Sequence, residues 1–338
     1  MTVTTATSGD ILSGLNPSQR EAVLHFEGPL LVLAGAGSGK TRVLTARIAR
    51  LIEHHGVDPA RILAVTFTNK AAEEMRERVA RLLGAEPAGM WLGTFHAIGA
   101  RLLRREARLV GRTASFTIYD EDDSLSFVRR LMDRLGIPAK QWSPKAIRAA
   151  ISDAKNALVP VEEYAGLAMD PLSRAASQVY SMMESALRES NAVDFDDLLV
   201  LPVRVLREHP DRLEHYRQRF QFILVDEYQD TNRAQYQLIK LLGGEHGNVS
   251  VVGDDDQSIY GWRGADIRNI LDFERDFPAA RVVRLEENYR STPEVLAVAN
   301  HLSDRLGGYD KVLRATRPSG PAPVVRAVPG EASEADLV

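Results

Sequence analysis

The residues with the most direct chemical meaning are Ala34-Gly35-Ala36-Gly37-Ser38-Gly39-Lys40-Thr41. Glycines at 35, 37 and 39 let backbone N–H groups converge on phosphate oxygens without interference from Cβ atoms. Lys40 would place its ammonium on the terminal phosphates, and the Thr41 hydroxyl would ligate Mg²⁺. The pattern usually begins with Gly and here begins with Ala34, so the case rests on the three later glycines. The competing reading is a glycine-rich strand-to-helix turn that binds nothing. A second group is Asp226-Glu227, which follows the apolar run Phe222-Ile223-Leu224-Val225. Asp226 can hold Mg²⁺, usually through water, and Glu227 can polarise the water that attacks a γ-phosphate. Gln229 and Asp230 continue the same loop without an assigned role.

Two further stretches are dense in functional side chains. In Gly253-Asp254-Asp255-Asp256-Gln257-Ser258-Ile259-Tyr260-Gly261-Trp262-Arg263-Gly264, Gln257 is suited to sensing the γ-phosphate or the attacking water. Tyr260 and Trp262 beside Arg263 suit stacking on unpaired bases, worth about 1–3 kcal/mol per base. Spacing alone leaves core burial of both aromatics equally open. The three aspartates also have the chemistry of a metal site, but Thr41 and Asp226 already provide for one metal. In Glu287-Asn288-Tyr289-Arg290-Ser291-Thr292, Arg290 could act as an arginine finger and Tyr289 could stack on adenine. A strand end with a surface arginine reads the same residues without chemistry.

The elements that must position these groups follow from hydrophobic patterning. Leu30-Leu31-Val32-Leu33 reads as a strand into the glycine turn, and Val43 to Ile52 as the helix after it. Asn16 and Pro17 mark an earlier helix start. Strands are expected at Ile62–Thr66, Met90–Thr94, Phe222–Val225, Val249–Val252 and Val282–Leu285. A helix is expected over 71–83, then a basic helix carrying Arg101, Arg104, Arg105 and Arg108. A short strand at Phe116–Tyr119 precedes helices over 125–135, 144–155, 161–167 and 174–190, the first capped by the acids at 120–123. Strands alternating with helices predict an α/β fold with a parallel sheet and right-handed crossovers, interrupted by a helical insertion.

Composition sets the bounds. The chain has 338 residues, enough for two or three domains, and its 44% hydrophobic and 26% charged content is that of a soluble globular protein. Without cysteine there is no disulfide or thiolate metal site, and a reducing cytoplasm fits. No apolar run approaches membrane-spanning length, so no membrane partner is expected. A net charge of −4 gives no hint of nucleic acid, so any such binding must come from local patches.

Taken together, these segments resemble the superfamily 1 DNA helicases of the UvrD/PcrA/Rep type. The resemblance is carried by Leu15-Asn-Pro-Ser-Gln19, the turn at 34–41, Thr66-Phe-Thr-Asn-Lys-Ala-Ala72 and Gly93-Thr-Phe-His96. Further matches are Asp194-Phe-Asp-Asp-Leu-Leu199, Val225-Asp-Glu-Tyr-Gln-Asp-Thr231, the stretch at 253–264 and Glu287 to Thr292. It implies a RecA-like P-loop NTPase domain, residues 11–108 and 193–285, with a helical insertion at 109–192. Residues 1–10 would be a disordered tail, and 286–338 the start of an incomplete second RecA-like domain. Family members continue well beyond this length, so the chain is expected to be an N-terminal fragment. The implied activity is ATP- and Mg²⁺-dependent 3′→5′ translocation on single-stranded DNA and at single-strand/duplex junctions, in repair or replication. The alternatives are an ATP- and DNA-binding module without motor activity, or the helicase part of a helicase–nuclease complex.

Among site residues, the resemblance implies that Gln19 reads adenine, which Arg42 and Tyr289 flank. Gln257 and Arg290 would contact the γ-phosphate. Phe67, Asn69, Tyr260 and Trp262 would line the single-strand track, with His96 and Arg263 nearby. For His96 a structural hydrogen-bonding role stands beside the DNA contact.

Overall fold

The computed structural model describes residues 11–244, 246–335 and 337. The expected tail at 1–10 lies outside them. The first helix, α1 (Pro17–Leu24), starts at Asn16 in a capping box with Gln19, as the Asn-Pro signal predicts. Three strand–helix units follow: β1 (Leu30–Ala34) and α2 (Lys40–Glu53), β2 (Ile62–Thr66) and α3 (Asn69–Leu83), β3 (Trp91–Thr94) and α4 (Phe95–Glu106). Helices α5 (Glu121–Arg134), α6 (Pro144–Asn156), α7 (Val161–Leu167) and α8 (Pro171–Glu189) come next, flanked by β4 (Thr117–Ile118) and β5 (Ala192–Val193). The chain returns through α9 (Asp197–Glu208) and α10 (Pro210–Arg219) to β6 (Phe222–Val225), α11 (Arg233–Gly243) and β7 (Val249–Gly253). It continues through α12 (Arg268–Leu271), α13 (Phe273–Asp276), β8 (Arg281–Leu285), β9 (Glu287–Asn288), α14 (Pro293–Leu306), β10 (Arg314–Ala315) and α15 (Glu331–Ala335).

Six strands form one sheet in the order β3-β2-β6-β7-β1-β8, with every pairing parallel. The architecture is therefore the RecA-like α/β sheet the sequence predicts. Alternate residues of each strand feed opposite apolar cores: Leu31, Leu33, Leu63 and Val65 enter one, and Leu30, Val32, Ile62 and Ala64 the other. That period of two, with both faces covered, explains the continuous apolar runs. All strands are parallel, so the turn after β1 and the Asp226-Glu227 loop after β6 reach the same edge, with the end of β7 between them.

The helices between α4 and α9 pack around their own core of Phe127, Leu131, Ile151, Val179, Met183 and Leu187. At its neck β4 pairs with β5, and the Asn191 side chain bonds both the backbone and the hydroxyl of Thr113. Buried Lys155 of α6 meets Asp194 at 2.9 Å, Asp197 at 2.7 Å and Glu184 of α8 at 3.3 Å. Burial alone would lower the Lys155 pKa, but the carboxylates outweigh it and the pKa is raised.

Sequence patterning does not anticipate α9 and α10. Eight of the ten residues of α9 from Asp197 to Leu206 are buried, and Pro202, a residue that usually ends a helical pattern, lies inside it. Lacking an N–H, Pro202 cannot satisfy the Leu198 carbonyl. That carbonyl instead faces Gly99 of α4, where a Cβ would stand 1.9 Å away, so the two helices meet backbone to backbone. The basic helix α4 spends its arginines on aromatics: Arg101 and Arg105 stack over buried Trp91, and Arg104 over Phe116.

Candidate nucleotide and nucleic-acid site

The turn after β1 needs its glycines. Gly37 and Gly39 have φ of 68° and 92°, a left-handed conformation that L side chains rarely adopt. A Cβ on Gly37 would also lie 2.7 Å from Arg290 Cβ, so the chain after β8 passes directly over the turn. Asn288 holds it there: its side-chain amide donates to the Ala36 carbonyl, and its oxygen accepts from Arg290 and Ser291 N–H. Tyr289 N–H donates to Gly37 O at 3.0 Å. Ser38 Oγ donates to Gly35 O at 2.6 Å, closing the turn internally.

Lys40 opens α2 with its Nζ 3.4 Å from Glu227 Oε2. Glu227 itself is a non-glycine residue at φ 48°, a strained conformation costing about 1–3 kcal/mol. Strain of this kind bends the chain sharply after β6 and delivers the carboxylate to Lys40. Asp226 is buried and accepts from Glu227 N–H at 3.1 Å. Burial pushes its pKa up to about 7, the Glu227 charge adds to this, and Lys40 opposes it. Asp230 rises to about 6 by burial and by Glu227, and its Oδ1 is without a hydrogen-bond partner. A desolvated carboxylate and the Thr41 hydroxyl are hard oxygen donors, so this pair fits Mg²⁺.

Gln19 is fully buried: its side-chain oxygen accepts from Asn16 N–H, and its Nε2 donates to Ser38 O at 2.8 Å. It braces the glycine turn, and one carbonyl lone pair and the second amide N–H remain for its expected contact with adenine. Arg42 is exposed and donates to Ser13 O, while half-exposed Tyr289 accepts from Asn16 and donates to Glu287. Gln257 donates its side-chain amide to Asp254. Arg290 is exposed.

Tyr260 and Trp262 are not core: they are 37% and 73% exposed, with ring centroids 6.3 Å apart. Phe67 packs edge-on against Phe95, and His96 lies 5.4 Å from Phe195. Burial lowers the His96 pKa, so the ring is neutral near pH 7. Asn69 is exposed at the start of α3, and the Arg263 side chain lies outside the described residues. Phe195, 51% exposed, went unassigned in the sequence although it sits within Asp194 to Leu199. The aspartates at 254–256 are not a vacant metal site, because Lys311 Nζ lies 2.9 Å from Asp254, 2.5 Å from Asp255 and 2.9 Å from Asp256.

A parallel sheet with a glycine turn and lysine after β1, and paired carboxylates after β6, defines a P-loop nucleotide-binding α/β protein. The chain belongs to the UvrD/REP helicase family, whose N-terminal domain model matches residues 15–278. It is 48% identical to the ATP-dependent DNA helicase PcrA of Bacillus subtilis over 295 residues, covering 87% of this chain and 40% of that protein. It is 50% identical to the ATP-dependent DNA helicase UvrD1 of Mycobacterium tuberculosis over 309 residues, covering 88% and 40%. The PcrA of Leuconostoc citreum is 48% identical over 301 residues, again covering 40% of the relative. The chain thus spans about two-fifths of the length of these relatives. No helix among the described residues is long and apolar enough to cross a membrane.

Proposed function

We propose that this chain is the nucleotide-binding lobe of an ATP-dependent DNA translocase and helicase acting on single-stranded DNA and its junctions with duplex. The lobe comprises residues 11–108 and 193–285, with 109–192 as a helical insertion and 286–338 opening a second lobe. The observation that carries this reading is the meeting of Lys40 and Glu227 at 3.4 Å, beside a glycine turn whose Gly37 abuts Arg290. ATP phosphates would lie on the turn, with Lys40 against the terminal phosphates and Arg290 offering positive charge from above. Thr41 and Asp226 would hold Mg²⁺, which neutralises charge on the phosphate oxygens when bound. Glu227 would then leave Lys40 and orient the attacking water, with Gln257 sensing the γ-phosphate. Arg42 and Tyr289 would flank adenine. Single-stranded DNA would run past Phe67, Asn69, His96, Tyr260, Trp262 and Arg263, and exposed Phe195 extends that aromatic set. The relatives' names as ATP-dependent DNA helicases support the assignment.

Nucleotide binding and Mg-ATP turnover, each with and without single-stranded DNA, test it. Lys40→Ala should weaken ATP binding by about a hundredfold, the loss of a charge-assisted phosphate contact. Glu227→Gln should bind ATP as the parent does and lose turnover by about 10²–10³-fold. Turnover by Glu227→Gln at the parent rate would overturn the assignment of the base. Parent chain that binds ATP and DNA without turnover would favour the binding-module reading.

A further inference from the structure

The Lys311 ammonium is buried and reaches all three carboxylates of the turn after β7. Its neighbours wrap the same turn: Ser303 Oγ donates to Asp256 at 2.6 Å, and Tyr309 N–H donates to Asp255 at 2.9 Å. Burial would lower the Lys311 pKa, yet the three aspartates hold it above the usual lysine value. A continuous set of polar contacts leads inward from this point. Asp254 N–H donates to Gln229 Oε1 at 3.0 Å, and Gln229 Nε2 donates to Glu227 Oε2 at 3.0 Å. Glu227 Oε2 is the oxygen that faces Lys40. Gln229 is 1% exposed, and it approaches Gly253 so closely that a Cβ there would stand 2.7 Å from Oε1. The amide therefore has one orientation available, with its oxygen on Asp254 and its nitrogen on Glu227.

We propose that Lys311 is a positioning residue for hydrolysis: by gathering Asp254, Asp255 and Asp256 it fixes the turn that orients Gln229, and through Gln229 it sets the Glu227 carboxylate. This deepens the ATP-hydrolase reading and rests on it. Its regulatory consequence is that Glu227 is aligned only while the segment 303–311 is docked on the end of β7. The Glu227 carboxylate, carried on the loop after β6, thereby senses whether this part of the second lobe is in place. With Lys311 withdrawn, three neighbouring carboxylates repel one another and Asp254 moves, which frees Gln229 to turn away from Glu227.

The test compares the 338-residue chain with its Lys311→Met and Lys311→Arg variants by Mg-ATP kinetics and by amide hydrogen exchange. Lys311→Met should lower kcat about tenfold with KM within about twofold, a loss confined to transition-state alignment. Lys311→Arg should restore most of the rate. Exchange should quicken in 226–231 and 253–257 while β1 and β2 keep their protection. Should Lys311→Met not fold, Asp255→Asn, which weakens the hold on Lys311 and on Tyr309 N–H and leaves two carboxylates for Lys311, should show the same split between kcat and KM. Parent-like kcat, or faster exchange confined to 303–315, would overturn the proposal. Absence of turnover in the parent would instead overturn the hydrolase reading, and the exchange comparison in the nucleotide-free chain still decides the role of Lys311.

Discussion

Lys155 and Lys40 each face carboxylates, yet the two regions are built to opposite specifications. Around Lys155 every Asp194 and Asp197 oxygen has a partner: Lys155 takes one from each, and each residue's N–H donates to the other's carboxylate. Around Lys40 the accounts stay open. Asp230 Oδ1 lacks a partner, and Glu227 sits in a strained backbone conformation. The first region is closed and holds helix α6 to the start of α9. The second leaves polar groups poorly satisfied by the chain itself, as expected of groups arranged for ligands that bring their own charge.

The largest effect should come from breaking the closed region. Lys155→Met leaves three buried or half-buried carboxylates without their cation, and should destabilise the chain by about 3–5 kcal/mol in urea unfolding. Lys40→Ala should change stability by less than about 1 kcal/mol, because Glu227 is 36% exposed and its pairing with Lys40 is screened. Similar losses in the two variants would erase the contrast.

A smaller effect, of opposite sign, is expected at Asp226. Its folded pKa is raised from 3.8 to about 7, so the folded state takes up a proton that the unfolded state has released. The stability it contributes is therefore fully present below the unfolded pKa and is lost as pH rises through about 7. Asp226→Asn should stabilise the nucleotide-free, Mg²⁺-free chain by about 2–4 kcal/mol at pH 8 and have little effect near pH 4. Melting temperatures across that range measure it. Excess Mg-ATP should shrink or reverse the gain, because the cation favours the carboxylate that the substitution removes.

These regions were unequally legible in the sequence. Local signals carried far: Asn16-Pro17 marked α1, and the strand–glycine–helix order around Lys40 marked the turn. Apolar residues marked all six strands of the sheet, unbroken in β1 and β6, which are covered on both faces, and interrupted by exposed Arg284 in the edge strand β8. Long-range pairings left no such trace. Lys311 lies 56 residues from Asp255, and nothing local to either indicates that the ammonium fills the aspartate turn. Lys155 is likewise 39 residues from Asp194. Helix α9 was hidden by Pro202, which reads as a helix breaker. Exposure was also beyond reach, since Tyr260 and Trp262 have the composition of core residues and only the fold turns them outward.

Trp262 makes the most limited prediction and the sharpest test of the contrast. At 73% exposure it contributes little packing, so Trp262→Ala should leave unfolding within about 0.5 kcal/mol of the parent. If its face stacks on a base, the same substitution should weaken single-stranded DNA binding by about 1–3 kcal/mol, roughly 5- to 150-fold. Fluorescence titration with a short oligonucleotide would measure this, and quenching seen in the parent but not in Trp262→Ala would separate the contact from Trp91 and Trp142. A destabilised variant with intact DNA affinity would return Trp262 to a structural role. Loss of affinity at constant stability would show that this exposed loop, unlike the closed junction at Lys155, carries side chains that act on a ligand outside the chain.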